Sequence, residues 1–237
     1  MNWYIFILLL IGAYFVGAIP LAYLIAKWAK GIDLRKVGSG NVGFTNLATV
    51  TSKWLSVPVL VFDLGKGALA VYVARWAGLP QPLQGLVGIA AVSGHNWPVF
   101  LGFNAGRGLL TTVGVALALA PKLASILLVI TLLGIPFHIL PITSLITVLS
   151  LTFFFLFSNA PGISWLFIEP VKERVEMALV CFILWLIMVI RRLTAPKNEL
   201  TQTVSPWELF FNRLFLDRDI RDRKLWIKRN MVKGNEG

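Results

Sequence analysis

Residues 4–17 read YIFILLLIGAYFVG, an unbroken apolar run without a charge. A helix that crosses a bilayer needs roughly 20 largely apolar residues. The segment Asn2–Trp28 reaches that length, and Pro20 permits a kink within it by removing a backbone donor. No basic stretch precedes the run, and it is too long for a signal-peptide core, so it is read as a retained helix. The rest of the chain agrees. Of 237 residues, 57% are hydrophobic and 14% charged, with a mean hydropathy of +0.77, which excludes a soluble domain of this size. The net charge of +11 would suit nucleic acid, but the basic residues gather in loops and the tail, as they do on the cytoplasmic side of membrane proteins. Membrane lipid, not nucleic acid, is the expected partner. The single Cys181 excludes an internal disulfide and a cysteine-rich metal site.

Outward from this first segment, six more apolar stretches follow: Leu55–Trp76, Leu83–Leu101, Leu109–Ala120, Leu123–Ile135, Ile142–Phe157 and Val175–Ile190. The fourth and fifth are short for straight spans, which implies tilt or local thinning. The loop after the first stretch holds Lys27, Lys30, Arg35, Lys36 and Lys53 against Asp33 alone, which places it in the cytoplasm. The expected fold is an all-α integral membrane protein of about seven transmembrane helices, N-terminus outside and C-terminus cytoplasmic. Residues 1–194 form the membrane domain and 195–237 a basic amphipathic cytoplasmic tail. Within the tail, Pro206–Leu216 reads as an interfacial helix with basic residues facing anionic lipid, and the last few residues as disordered. A soluble, partly disordered tail is the alternative.

Three polar clusters then share the cytoplasmic side. Gly38–Asn46, GSGNVGFTN, combines Gly38, Gly40 and Gly43 with Ser39, Asn41, Thr45 and Asn46. Glycines permit close backbone approach, and successive N–H groups in such a turn can cradle an anion. A flexible connector is the plainer reading. Asp63-x-x-Lys66-Gly67 puts two ionisable groups on one helical face inside an apolar stretch. Such groups pair or line a polar cavity. The readings are a substrate-facing pair or an ion pair that fastens helices. Gly94-His95-Asn96-Trp97-Pro98 leads into the basic glycine turn Gly102–Gly108, GFNAGRG, with Arg107 between Gly106 and Gly108. A lone histidine on an apolar helix is more often a packed residue. Here fixed donors, close backbone approach and a cation make the parts of an anion site. Two distant histidines and no carboxylate cluster give no metal site.

In this order and spacing the clusters resemble the bacterial acyl-phosphate-dependent glycerol-3-phosphate acyltransferase family, the PlsY type. The similarity runs from about Tyr14 to Gly114, with a compatible helix pattern to about Leu193. The resemblance implies a seven-helix enzyme of the bacterial inner membrane whose site faces the cytoplasm. It implies acyl transfer from acyl phosphate to the 1-hydroxyl of glycerol 3-phosphate, giving lysophosphatidic acid and phosphate for phospholipid synthesis, without a cofactor. Carried over by motif, Ser39, His95, Lys66 and Arg107 are the catalytic candidates. Gly38, Gly40, Asn41, Gly43, Thr45, Asn46, Asp63, Gly67, Asn96, Gly106 and Gly108 are the substrate- and phosphate-binding candidates. His95 is one candidate base, and a substrate phosphate oxygen is the other, as proposed for the family. The chain departs from the family pattern at several places. Phe44 stands where the family has alanine, Thr49 where it has arginine, and Arg107 where it usually has lysine. Leu186 and Val189 stand where the last helix typically carries histidine and asparagine. Lys53 is the candidate replacement for the arginine. A non-catalytic or altered-acceptor binder of a phosphorylated lipid or metabolite is the alternative class. A small transporter is a third, opposed by the lack of an inverted repeat.

Overall fold

The computed structural model describes residues 2–168, 171–196 and 199–228, and among these it is helical with no strand. Helix α1, Trp3–Ala18, is capped by the Asn2 side chain, which accepts from Tyr4 N–H. It ends at Ile19-Pro20, and α2, Leu21–Lys30, begins beyond it and stops at Gly31 in the left-handed region. The expected single helix over Asn2–Trp28 is therefore two helices. The proline both breaks the hydrogen-bond ladder and starts the second one. α3, Phe44–Val50, and α4, Lys53–Trp76, are separated by Thr51, and Ser52 caps α4 by accepting from Leu55 N–H. α5 spans Gln81–Asn96, shorter than the expected stretch to Leu101, because Trp97-Pro98 ends it and a 3-10 turn follows at Val99–Leu101. α6 is Leu109–Leu119, α7 Pro121–Leu132, α8 Leu140–Leu156 and α9 Arg174–Leu193. In the tail, α10, Pro206–Phe211, runs into a π turn, Asn212–Leu216, and α11 is Arg223–Lys228. The last few residues, expected to be disordered, lie outside the described residues.

Two helical stretches, Trp3–Lys30 and Lys53–Trp76, are long and apolar enough to cross a membrane, while α6, α7 and α8 are shorter apolar helices. Exposed Trp54 and Trp76 bracket α4. At 1.5 Å per residue they stand about 33 Å apart, close to the thickness of a hydrocarbon core with its interfacial tryptophans. Between them Val57, Leu60, Val61, Leu69 and Tyr72 are also exposed. A belt of that kind is out of place in water and suits lipid.

With lipid outside, apolar burial drives helix association weakly, and close packing of small residues takes over. α1 and α5 meet glycine to backbone. A Cβ on Gly17 would strike the Ala91 carbonyl, and one on Gly94 would strike the Tyr14 carbonyl. The Tyr14 hydroxyl donates to Trp97 O (2.8 Å), which locks the same pair of helices at their polar end. α4 and α6 meet in the same way, with Gly67 against Thr111 O and Gly114 against Leu64 O. α8 and α9 are joined by Arg192, which donates to Pro141 O (2.9 Å) and Ser144 Oγ (3.0 Å). The main core unites Val71, Val92, Val115, Phe155, Met177 and Leu184 from five helices.

The stretch Pro206–Leu216 is helical, as α10 followed by the π turn, but its basic residue does not face outward. Arg213, expected on a lipid-facing side, is buried and ion-paired with Asp219 (2.8 Å), and it donates to Leu193 O (2.8 Å). Arg192 donates to Leu214 O (2.8 Å) from the other side. The tail is thus docked on the end of α9. Its aromatic face remains outside, with Trp207, Phe210, Phe211 and Phe215 exposed.

The helix contacts yield a comparison within one helix. Nothing lies within 4 Å of a Cβ built on Gly65, whereas one on Gly67 enters the α6 backbone. Gly67→Ala should lower stability by about 1–3 kcal/mol. Gly65→Ala should be neutral or slightly stabilising. Thermal unfolding of both variants in detergent micelles checks this, and equal midpoints would contradict it.

Candidate active site

The deepest polar feature is a buried cluster where α1, α4 and α5 cross. Lys66 Nζ lies 2.8 Å from Asp63 Oδ1, 2.8 Å from His95 Nδ1 and 3.0 Å from Gly17 O. An ammonium has three donor directions and no acceptor. All three are taken by protein atoms, so Lys66 fastens three helices and has no proton left to offer an anion. The Asp63–Lys66 pair is almost wholly enclosed, with side-chain exposures of 5% and 1%. These are the contacts of an ion pair that fastens helices.

With the ammonium as a donor only, the same contacts assign the tautomer of His95. Nζ is nearer to both Asp63 Oδ1 and His95 Nδ1 than these are to each other, at 3.5 Å. Nδ1 thus accepts from the ammonium, and the imidazole proton sits on Nε2. Nε2 rests against Gly106, where a Cβ would collide with it. Asn96, fully buried, stands in the same relation to Gly108, whose φ of +71° no ordinary side chain favours. The two glycines flanking Arg107 are therefore the room made for His95 and Asn96. Neither side-chain polar atom of Asn96 has a hydrogen-bond partner among the described residues, nor does buried Asn41 Oδ1.

The first cluster is knitted by Asn46. Its Oδ1 accepts from Ser39 N–H (2.9 Å), and its Nδ2 donates to Leu34 O and Val37 O (3.1 Å each). Asn46 is an organiser of the loop whose bonding groups face inward. Gly38 and Gly40 both take positive φ, at +56° and +69°, and a Cβ on Gly38 would strike Asn46 Oδ1. Gly43 precedes α3 in extended backbone. The Ser39 hydroxyl accepts from Asn41 N–H (3.4 Å). Thr45 is exposed on α3, and its carbonyl receives the Thr49 hydroxyl (2.8 Å). Ahead of the loop, Arg35 pairs with Asp33 (2.8 Å) and lies over the Tyr23 ring. The Arg35 guanidinium holds the Asp33 carboxyl below its ordinary pKa.

The three clusters converge. Val42 from the first, Asp63 from the second, and His95, Pro98 and Ala105 from the third line one small cleft, closed by the Gly17–Ala22 break between α1 and α2. The glycine turn itself is held by Arg191, which donates to Gly106 O (2.9 Å), Ala105 O (3.0 Å) and Asn104 Oδ1 (2.9 Å). Arg191 and Arg192 follow the last apolar stretch, and their role is visible once α9 is packed. Arg107 points to the tail, where Nη1 donates to Asp217 O (3.2 Å) and ion-pairs with the Asp217 carboxylate. Burial pushes its pKa down to about 9, and Arg191 and Arg192 add to the effect, so it is still a cation at neutral pH. Lys53 does not stand one turn after Thr49 on a shared helix, since Thr51 breaks the chain between α3 and α4, and it is exposed. Leu186 is half-buried, and Val189 packs on the main core.

Comparison with known proteins places this arrangement. A helical bundle of this form is that of an integral membrane acyltransferase: it matches the crystal structure of PlsY, an integral membrane glycerol 3-phosphate acyltransferase, in its glycerol 3-phosphate form with a TM-score of 0.66 and 31% identity, over 79% of this chain and 88% of that one. The lysophosphatidic acid form of PlsY matches with a TM-score of 0.63 and the same identity, over 79% and 87%. The family model for glycerol-3-phosphate acyltransferase matches residues 7–201. Glycerol-3-phosphate acyltransferase 4 of Dehalococcoides mccartyi strain CBDB1 is 43% identical over 98% of this chain and 97% of its own length. Glycerol-3-phosphate acyltransferase 5 of Dehalococcoides mccartyi strain 195 is 43% identical over the same shares. The chain belongs to the glycerol-3-phosphate acyltransferase family.

Removing one partner of the enclosed pair leaves a charge uncompensated, whereas replacing both does not. Asp63→Asn should cost about 3–5 kcal/mol of stability. The double variant Asp63→Asn with Lys66→Met should recover a large part of that loss. Unfolding midpoints in micelles measure both, and a double variant no more stable than Asp63→Asn would refute the pairing.

Proposed function

We propose that the protein transfers an acyl group from an acyl phosphate to the 1-hydroxyl of glycerol 3-phosphate at the cytoplasmic face of the bacterial inner membrane. The products are lysophosphatidic acid and inorganic phosphate. The observation that carries this reading is the convergence of the three motif clusters on one cleft at the α1–α2 break. In this reading α1 with α2, then α4, α5, α6, α7, α8 and α9, make seven spans, with the N-terminus outside and the tail inside. The basic loop after α2 and the pair Arg191-Arg192 at the end of α9 support that orientation.

Both substrates carry phosphate, and acyl phosphate brings its own good leaving group. The work left to the protein is to hold two anions together and stabilise the charge that develops. The Ser39 hydroxyl, on the loop shaped by Asn46, suits one phosphate. Arg107 suits another with its planar fork of donors. Asn41 and Asn96 present buried amide atoms that gain from a polar ligand. The acceptor hydroxyl oxygen forms a bond to the acyl carbon while the acyl carbon–oxygen bond to phosphate breaks. His95 does not take the hydroxyl proton, because Nδ1 is occupied by Lys66 and Nε2 already carries hydrogen. It serves as a donor toward a developing oxyanion, and Lys66 and Asp63 position it. The proton passes to a phosphate oxygen of the substrates.

Phosphate release by the purified protein in lipid, with palmitoyl phosphate as donor, tests the reading. Release should depend on glycerol 3-phosphate and be accompanied by lysophosphatidic acid. Arg107→Ala and Ser39→Ala should each lower kcat/KM about 100-fold or more while the protein still inserts. His95→Gln, which keeps an N–H donor, should retain more turnover than His95→Ala. No acceptor-dependent release from folded wild-type protein would reject the assignment, and equal loss in both His95 variants would reject the donor role.

A further inference from the structure

We propose that Asp217 in the C-terminal tail is a positioning residue of the site: it holds the Arg107 guanidinium so that the rest of its fork is presented to the substrate phosphate. The inference rests on the reading of Arg107 as a phosphate ligand. Arg107 sits between two glycines in a turn whose backbone is tied down by Arg191, but nothing in that turn fixes its long side chain. The tail does so. Nη1 donates to the Asp217 carbonyl and meets the Asp217 carboxylate, and Arg192 Nε approaches the same carboxylate at 3.8 Å.

Asp217 is held firmly enough for this purpose. It closes the π turn at φ +57°, a conformation that a residue other than glycine keeps when its surroundings impose it. Two residues on, Asp219 is enclosed. Its carboxylate takes Arg213 Nε (2.8 Å) and the Thr201 hydroxyl (2.8 Å), and its carbonyl takes Asn212 Nδ2 (3.0 Å). Arg213 and Arg192 bind this loop to the end of α9 and to the start of α8. A carboxylate mounted in this way is a fixed strut rather than a mobile plug. Arginine tolerates such a strut and remains useful. Its hydrogen bonds among the described residues use Nη1 alone, and the planar fork leaves Nε and Nη2 for a bidentate anion. The tail position lies beyond the stretch matched by the family model, which ends at residue 201, while the two Dehalococcoides relatives align over 98% of the chain.

The test compares Asp217→Asn with Glu208→Gln in the full-length protein in lipid. Asparagine is at home at positive φ, so the loop keeps its shape while the charge is lost. Glu208 pairs with Arg221 in solvent at 3.4 Å, and its variant removes the same charge from the same tail without touching Arg107. Asp217→Asn should raise KM for glycerol 3-phosphate about ten-fold, the effect of one weakened charge-assisted contact, with kcat held within about three-fold. Asp217→Glu should restore part of the loss, and Glu208→Gln should resemble wild type. Exchange of the Arg107 guanidinium N–H protons should be faster in Asp217→Asn than in Glu208→Gln. An unchanged or lower KM in Asp217→Asn, the latter expected of a competing internal anion, overturns the inference, and so does equal exchange in the two variants. Wild-type protein without turnover would reject the proposed function instead, and the exchange comparison would then decide the tail contact alone.

Discussion

A lysine ammonium inside a bilayer-spanning bundle must find partners, and Lys66 finds them on three helices at once. Its carboxylate partner is one turn away on α4, its carbonyl partner is Gly17 at the end of α1, and its imidazole partner is His95 near the end of α5. The cost of enclosing such a charge is large unless every bond is made. That requirement brings the α1–α2 break, the middle of α4 and the end of α5 to one point. The cleft assembled around this point takes its walls from all three motif clusters. The ion pair thus organises the cleft and fixes the position of the His95 ring.

Small residues make this convergence possible. Gly17 and Gly94 let α1 and α5 approach to backbone contact, and Gly67 and Gly114 do the same for α4 and α6. In lipid, where apolar burial between helices contributes little, such contacts and a few buried polar bonds carry the association. The glycines of the turn have a different purpose. Gly106 and Gly108 yield space to His95 and Asn96, so the turn carrying Arg107 is seated on the two polar residues that end α5. Glycines that look alike in the sequence therefore divide into those that join helices and those that shape the site.

Arginines from the last helix and carboxylates from the tail form an outer layer on this arrangement. Arg191 binds the carbonyls of the glycine turn, Arg192 binds the start of α8 and the tail, and Arg213 closes on Asp219. Each is a single-residue clamp that uses the many donors of a guanidinium to hold backbone carbonyls left over at helix ends and turns. The last helix lacks side-chain donors at Leu186 and Val189, and its contribution to the site comes one turn later, through Arg191. The charge at position 107 is likewise an arginine where the resembling family usually has lysine, and only an arginine can meet a carboxylate and an anion with separate edges.

Some of this was legible in the chain alone. The apolar runs, the basic loops and the three clusters defined a membrane helical bundle of a recognisable family, because hydropathy and motif spacing are local properties. Pairing of Asp63 with Lys66 was also readable, since residues three apart share a helical face. The sequence did not reveal that Lys66 is fully saturated, that Asn46 turns its amide inward to the Leu34 and Val37 carbonyls, or that Arg107 faces Asp217, 110 residues away. Those outcomes depend on which elements meet, and contacts between distant segments leave no periodic mark. The placement of the tail's Arg213 was illegible for the same reason. Arg213 reads as a surface charge until Asp219 and the carbonyls at the end of α9 are brought around it. Local pattern determined the elements and their membrane setting; only the tertiary structure decided which polar groups saturate one another, because those partners lie on segments far apart in the chain.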